Sequence, residues 1–274
     1  GPFEVQLFHL GAGFRTPVHL NLVRGSLVEP ILFDPDRFTY DGPASALSDA
    51  LAGGLDVEGH AGFRVHFPLN REDVADEVVA FLGSSYFRLL GPGHLYGISA
   101  RGLAVDVAEP TGEEFPDFVA FWLREPEPGS RRMSFVGLLD SPSLTGAYGF
   151  ELVPGAPPDT PTTLTVEARL HARRDVRRLG VAPLTSMFLY GPDGARDFDD
   201  VRPRVHDSDG LLMWTGRDEW IWRPLSNGPG LRVTGLQDRD PKGFGLAQRA
   251  RDFHQFLDLE ARYQSAQASL AQAA

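Results

Sequence analysis

The sequence predicts an all-β fold, a large antiparallel β-sandwich, and two observations carry that reading. Segments such as 3–10, 18–23, 63–67, 133–139, 164–170 and 231–236 alternate apolar with polar residues, the period-two pattern of a half-buried strand. Gly, Pro, Asp or Asn separate many of them, and these are the residues that set turns. With 274 residues and 42% hydrophobic content, the chain can bury a large core as one extended β domain or as two smaller ones.

A few short helices are expected among the strands. Asn70 can cap a helix, Asp73 stands three residues on, Val74, Val78, Phe81 and Leu82 fall on one face, and Gly83 can stop it. Residues 115–122 form a second short helical candidate and the tail from about Ala247 a third. The last stretch, QSAQASLAQAA, is polar and lacks an apolar face that could dock, so it reads as a frayed end or a truncated linker. The polar segment 42–56 is longer and looser than a plain hairpin. A surface loop is its simpler reading and a lid the alternative. The expected organisation is a sandwich over 1–252 and a helix or linker tail over 253–274, with no internal repeat of fixed period.

Composition excludes several function classes. The formal net charge of −11 is spread along the chain, and ARRDVRR (172–178) is the only dense basic run, so a nucleic-acid partner is not expected. No apolar stretch approaches the roughly 20 residues that cross a bilayer. The opening Gly1-Pro2 reads as a processing scar left after removal of any signal peptide. Cysteine is absent, which rules out disulfides and thiolate chemistry and leaves the compartment open. The histidines are scattered without a His-x-x-x-His pair, so neither a metal nor another cofactor is expected. No Gly-x-Ser-x-Gly elbow is present, and LGPGHLYG does not have dinucleotide-binding spacing.

What remains is carboxylates and aromatics. The stretch RVHDSDGLLMWTGRDEWIWRPL (204–225) holds four carboxylates and three tryptophans. Sugar rings lay their C–H faces on aromatic planes while their hydroxyls take polar partners. Glycoside cleavage needs one protonated and one ionised carboxyl group, separated by roughly 6.5–9.5 Å when the anomeric configuration inverts. Asp207 and Asp209 would share a face on an extended segment, but Gly210 favours a tight turn in which Asp207 caps backbone. From spacing alone, a solvated turn is the plainer reading. Trp214, Trp220 and Trp222 read as core or as platform, with Trp220 and Trp222 on one side of a strand. In GEEFPDF, Glu113, Glu114 and Asp117 fit a helix start, and Asp140 in LLDSPSLTGAY fits turn initiation.

Long stretches add a more specific signal. LGSSYFRLLG (82–91), YGISARGLAVD (96–106), GEEFPDFVAFW (112–122), LLDSPSLTGAYGF (138–150), LGVAPLTSMFLYG (179–191), RPRVHDSDGLLMWTG (202–216), EWIWRPLSN (219–227) and DPKGFGLAQRARDF (240–253) together resemble the large N-terminal domain of the periplasmic glucan biosynthesis proteins OpgG and OpgD, also called MdoG and MdoD, whose homologues define glycoside hydrolase family 186. The resemblance implies a galactose-mutarotase-like sandwich, a periplasmic location and a role with osmoregulated β-1,2-glucans. It also implies endo-acting, anomer-inverting cleavage or transfer on that polymer.

On the matching motifs, the resemblance places the general acid at Asp209 in HDSDG, and the second carboxylate at Asp117 with Asp140 in reserve, the base reaching its water through a hydrogen-bonded relay. A general acid must hold its proton near neutral pH, which burial favours. Sugar contacts are expected from Tyr86, Arg88, Tyr96, Arg101, Trp122, Tyr148, Tyr190, His206, Trp214, Glu219 and Trp222. Family members continue past DLEARY (258–263) into an immunoglobulin-like domain, whereas this chain runs into QSAQASLAQAA, so that domain is expected to be absent. Two other functions fit the same residues. One is a non-catalytic glucan-binding accessory protein, and the other is a mutarotase-like epimerase using His206 beside a carboxylate.

Overall fold

The computed structural model describes residues 2–10, 16–34, 37–39, 60–94, 98–157, 160–192, 199–250 and 252–257. Strands dominate. In chain order they are β1 (Glu4–Phe8), β2 (His19–Arg24), β3 (Leu27–Ile31), β4 (Gly62–Phe67), β5 (Asp76–Leu82), β6 (Tyr86–Leu89), β7 (Ser99–Arg101), β8 (Leu103–Val105), β9 (Asp117–Arg124), β10 (Met133–Asp140), β11 (Leu144–Val153), β12 (Thr163–Ala172), β13 (Leu179–Val181), β14 (Leu184–Thr185), β15 (Phe188–Tyr190), β16 (Val205–His206), β17 (Gly210–Trp214), β18 (Trp220–Pro224) and β19 (Gly243–Ala247). A 3-10 turn, Phe253–Phe256, follows. The chain forms two compact units, Gly1–His94 with Arg101–Ala182, and Leu95–Ala100 with Pro183–Ala274.

The first unit contains the sandwich. One sheet runs β1-β4-β5-β6 with antiparallel pairing. The other runs β12-β11-β10-β9-β2-β3, antiparallel except where β2 lies parallel to β9. Alternation decides which side chains go inward: Phe63, Val65 and Phe67 of β4, and Leu144, Tyr148, Phe150 and Leu152 of β11, are all buried. Phe81 is the hub of the core. Its ring packs on Phe63, Phe87, Phe118, Phe121, Phe135 and Phe150 at centroid distances from 5.0 to 6.0 Å, and edge-to-face contacts among these rings add to simple area burial.

The second unit is built from smaller ladders. β7 pairs with β14, β15 with β16 across a register shift, and β17 lies between β18 and β19.

Four sequence expectations are corrected. The predicted helix after Asn70 is a turn followed by β5, whose Val78, Val79, Ala80 and Phe81 are all buried. A continuous apolar run of this length fits a strand covered on both sides as well as a helix face, and pairing with β4 and β6 decides it. Asn70 serves instead as a turn residue, its N–H and side-chain amide both donating to Asp76 Oδ2. Residues 115–122 lie mostly in β9, held between β10 and β2, and Ala247 ends a strand rather than starting a helix. Residues 231–236 alternate in sequence but form no strand, and Leu231, Val233 and Leu236 are exposed. Alternation without a partner strand does not make a ladder. The segment 42–56 and the stretch 258–274 lie outside the described residues.

Candidate functional site

The HDSDG segment is the turn that leads from β16 into β17, and backbone bonds stitch it to three neighbouring segments. The Asp207 N–H donates to the Met187 carbonyl at 2.8 Å, and the Met187 N–H donates back to Asp207 Oδ2 at 2.9 Å. Ser208 is fully buried with its hydroxyl 2.6 Å from that of Ser186. The Asp209 N–H donates to the Ala247 carbonyl, and the Asp209 carbonyl accepts from the Leu225 N–H. Asp207 therefore takes the capping role that its spacing before Gly210 suggested, while Asp209 turns inward.

Asp209 is 5% exposed. Its Oδ2 accepts the Arg249 N–H at 2.7 Å. Its Oδ1 lies 3.4 Å from His206 Nε2 and 3.9 Å from Arg249 Nη2. The imidazole contact is within ion-pair reach but lacks hydrogen-bond alignment, so among the described residues neither buried ring nitrogen of His206 has a hydrogen-bond partner. Phe188 stacks on this ring at 5.4 Å and 18°, and Phe256 meets it edge-on. Burial pushes the His206 imidazole below its ordinary pKa. Asp209 opposes that shift, Arg204 adds to it, Asp207 opposes it and Arg249 adds to it. His206 is thus a neutral ring near pH 7, with one donor and one acceptor nitrogen.

An aromatic face extends from this turn along the sheet. Alternation puts Gly210, Leu212 and Trp214 of β17 on one side, and the register sets Pro224, Trp222 and Trp220 of β18 beside them. Gly210 is required here, since a Cβ would come within 2.5 Å of the Arg223 carbonyl and 2.7 Å of the Trp222 ring. Trp214 and Trp220 stack at 5.2 Å and 8°, and Lys242 Nζ lies 5.0 Å over the Trp214 ring while ion-paired with Asp218. Trp220 is 62% exposed and Trp214 36%. Trp220 is therefore the outer ring of the pair, yet the sequence reading chose Trp214 and Trp222. The missing signal was the hairpin register, which follows only once the turn at Thr215 to Glu219 is placed. In that turn Glu219 accepts Thr215 N–H through its backbone carbonyl and presents an exposed side chain. Tyr190, also in this unit, is buried, and its hydroxyl donates to the Arg202 carbonyl.

The remaining candidates belong to the first unit. Asp117 and Asp140 face each other directly across β9 and β10. Facing like charges cost stability, and two neighbours offset this: Thr16 donates to Asp117 Oδ2 at 3.0 Å, and Arg173 Nη1 lies 2.6 Å from Asp140 Oδ1, close enough for an ion pair but not aligned as a hydrogen bond. Arg101 is buried between the rings of Tyr86 and Phe115 and bonds Glu113 at 2.6 Å, while its Nε and Nη2 have no hydrogen-bond partner among the described residues. One face of the half-buried Tyr86 ring thus meets a guanidinium. Arg88 lies on β6 opposite Ala80, and Trp122 is half-buried on β9. Tyr148 is a core residue: its hydroxyl donates to the Gly102 carbonyl at 2.9 Å, and burial pushes its phenol up to about 12. Tyr96 lies outside the described residues. Among the described residues, no group of three or more His, Asp or Glu is placed to hold a metal ion, and no helix is long and apolar enough to cross a membrane.

The structure therefore collects His206, Asp207, Asp209, Tyr190, Trp214, Glu219 and Trp222 in the second unit, and Asp117, Asp140, Tyr86, Arg88, Arg101, Trp122 and Tyr148 in the first. Comparison with protein families finds that the profile described as "Periplasmic glucan biosynthesis protein, MdoG" matches residues 1–270.

Proposed function

Because the chain belongs to the MdoG family of periplasmic glucan biosynthesis proteins, we propose that it is a glucan-active enzyme, an endo-acting, anomer-inverting glycoside hydrolase or transglycosylase on β-1,2-glucan. The observation that carries the chemistry is Asp209, a buried carboxyl group beside a buried His206 whose ring nitrogens lack hydrogen-bond partners. A buried polar group left unsatisfied costs stability and calls for a reason beyond packing, and a functional role is one such reason.

In this reading Asp209 passes its proton to the glycosidic oxygen as the bond from the anomeric carbon to that oxygen breaks. A second carboxylate takes the proton from the attacking water, or from a sugar hydroxyl in transfer, as the new bond forms on the opposite face. The second carboxylate is to be found by substitution, beginning with Asp117 and Asp140. The neutral imidazole of His206 lies beside the Asp209 carboxyl and is given no proton-transfer step. The tryptophans of β17 and β18 offer planes for sugar rings.

A second reading, a non-catalytic glucan-binding accessory, is favoured by one contact. Asp209 is held by the Arg249 N–H and lies 3.9 Å from its guanidinium, an arrangement that also serves as a staple for the turn.

Incubation with linear β-1,2-glucan, with products followed by chromatography and anomeric NMR, separates the two. New short or cyclic products of inverted configuration are expected. Asp209→Asn should lower turnover by roughly 100-fold or more, the usual contribution of general acid catalysis, while glucan binding persists. Asp117→Asn and Asp140→Asn assign the base in the same assay. Glucan binding without products in the unaltered protein would establish the accessory reading.

A further inference from the structure

We propose that the outward face of the first unit's β12-β11-β10-β9-β2-β3 sheet carries a glucan-binding groove floored by Trp122, Val136 and Gly149; the proposal rests on the glucan reading above and names a surface built from first-unit residues only. The register places these residues in one row. Val136 of β10 lies opposite Trp122 of β9 and opposite Gly149 of β11, and Gly149 lies opposite Glu167 of β12. The adjacent row on the same face sets Ser134 opposite Glu151, and Glu151 opposite Thr165. These residues line a groove of about 400 Å³, with Arg124 at its margin.

Gly149 is the informative residue. Glycine within a strand weakens it and marks a close approach by something else. In the same sheet, Gly137 and Gly146 have packing reasons: a Cβ at Gly137 would lie 2.9 Å from the Phe121 ring, and one at Gly146 would lie 2.7 Å from Leu170. Among the described residues, a Cβ at Gly149 would meet only the Glu167 carbonyl, at 4.0 Å, and no described neighbour demands the missing side chain. Its effect is on the surface, where it lowers the floor between Val136 and Glu167.

The lining selects the ligand's chemistry. A half-buried indole and a 45% exposed valine give an apolar floor suited to the C–H faces of pyranose rings. Around it stand carboxylates, a guanidinium and two hydroxyls, which can pair with many sugar hydroxyls at once. Glu151 is ion-paired with Arg132 and Glu167 with Arg169, so the carboxylates at the rim are matched by cations and a ligand meets hydrogen-bonding groups rather than a field of one sign. The four strands span three spacings of roughly 4.8 Å, or about 14 Å, room for more than one ring. A stretch of neutral β-glucan meets all these conditions.

The test is calorimetric titration of linear β-1,2-glucan into the unaltered protein, Gly149→Val and Trp122→Ala, with folding checked by circular dichroism and melting temperature. Gly149→Val fills the groove from a solvent-facing strand position and should fold at least as well as the parent. Both variants are expected to bind glucan at least tenfold more weakly. Should Gly149→Val not fold, the pair Thr165→Val with Glu167→Gln, on the exposed edge strand, carries the same decision at the rim. Unchanged affinity in a folded Gly149→Val overturns the groove and leaves the glucan reading standing. Failure of the unaltered protein to bind glucan overturns both. Weakened glucan binding matched by tighter binding of an extended peptide would make this a protein-docking face, and would also overturn the proposal.

Discussion

In the first unit the buried side chains include Phe63, Phe81, Phe118, Phe121, Phe135 and Phe150, whereas in the second they include Tyr190, His206, Ser208, Asp209 and Thr215. The first set is held by area and shape, since apolar burial contributes roughly 25 cal/mol per Å² whatever its direction. The second is held by directed bonds: Asp209 to Arg249, Ser208 to Ser186, and Glu219 N–H to Thr215 Oγ1. Directed bonds contribute only about 1 kcal/mol net each, but they fix atoms to within tenths of an ångström and are costly to leave unmade. The aromatic core of the first unit is therefore sensitive to lost volume, and the HDSDG turn of the second to lost hydrogen bonds. A reacting carboxyl group needs the second kind of surroundings, because its atoms must be held in position and not merely kept dry.

The largest effect should come from volume in the first unit. Phe81→Ala removes the ring that six others pack against, and a loss of about 3–5 kcal/mol is expected from the transfer and cavity terms together. Urea denaturation measures it. A loss below about 1 kcal/mol would show that the sandwich can collapse around the gap, and the contrast between the units would fail.

Sequence periodicity revealed much of the first unit and little of the second unit's pairing. Alternation located β1, β2, β4, β10 and β12 because each has one face on the core, and that constraint is local. It misread β5, where Val78, Val79 and Phe81 are covered on both sides, and it over-read 231–236, which alternates without a partner. Gly210 correctly signalled a turn at HDSDG. The opposition of Asp117 to Asp140, the stacking of Trp220 on Trp214 and the enclosure of Arg101 by Tyr86 and Phe115 depend on register or on contacts distant in sequence. No periodicity within a segment encodes such pairings.

Acid should affect both units through one histidine each. Burial is the leading cause that pushes His60 and His206 below 6.5; at His60 the positive charges of His9 and His19 add to it. The unfolded chain then binds protons more readily than the folded one. The stability tied to these rings is whole above about pH 6.5 and is lost as pH falls through the folded-state values, at about 1.4 kcal/mol for each unit of depression. The melting temperature should fall between pH 7 and pH 5, and His60→Leu should flatten that fall, because His60 is fully buried with neither ring nitrogen hydrogen-bonded. An unchanged slope in His60→Leu would place the acid sensitivity elsewhere.

The smallest stability effect is expected at Trp220, and that smallness makes it the sharpest probe of the comparison. The ring is 62% exposed and stacks on Trp214, so Trp220→Ala removes an aromatic pair worth about 0.5–1.5 kcal/mol and little buried area. In the same variant, affinity for long β-1,2-glucan should fall by a larger factor than stability predicts, since the outer plane of the pair is the one a sugar ring can reach. Denaturation and titration on one preparation give both quantities. A stability loss approaching that of Phe81→Ala would mean that the second unit also rests on aromatic packing. A small loss with unchanged glucan affinity would leave the stacked pair as a support for the β17-β18 hairpin and shift the search for a sugar platform toward Trp222, the ring that packs on Gly210 beside Asp209.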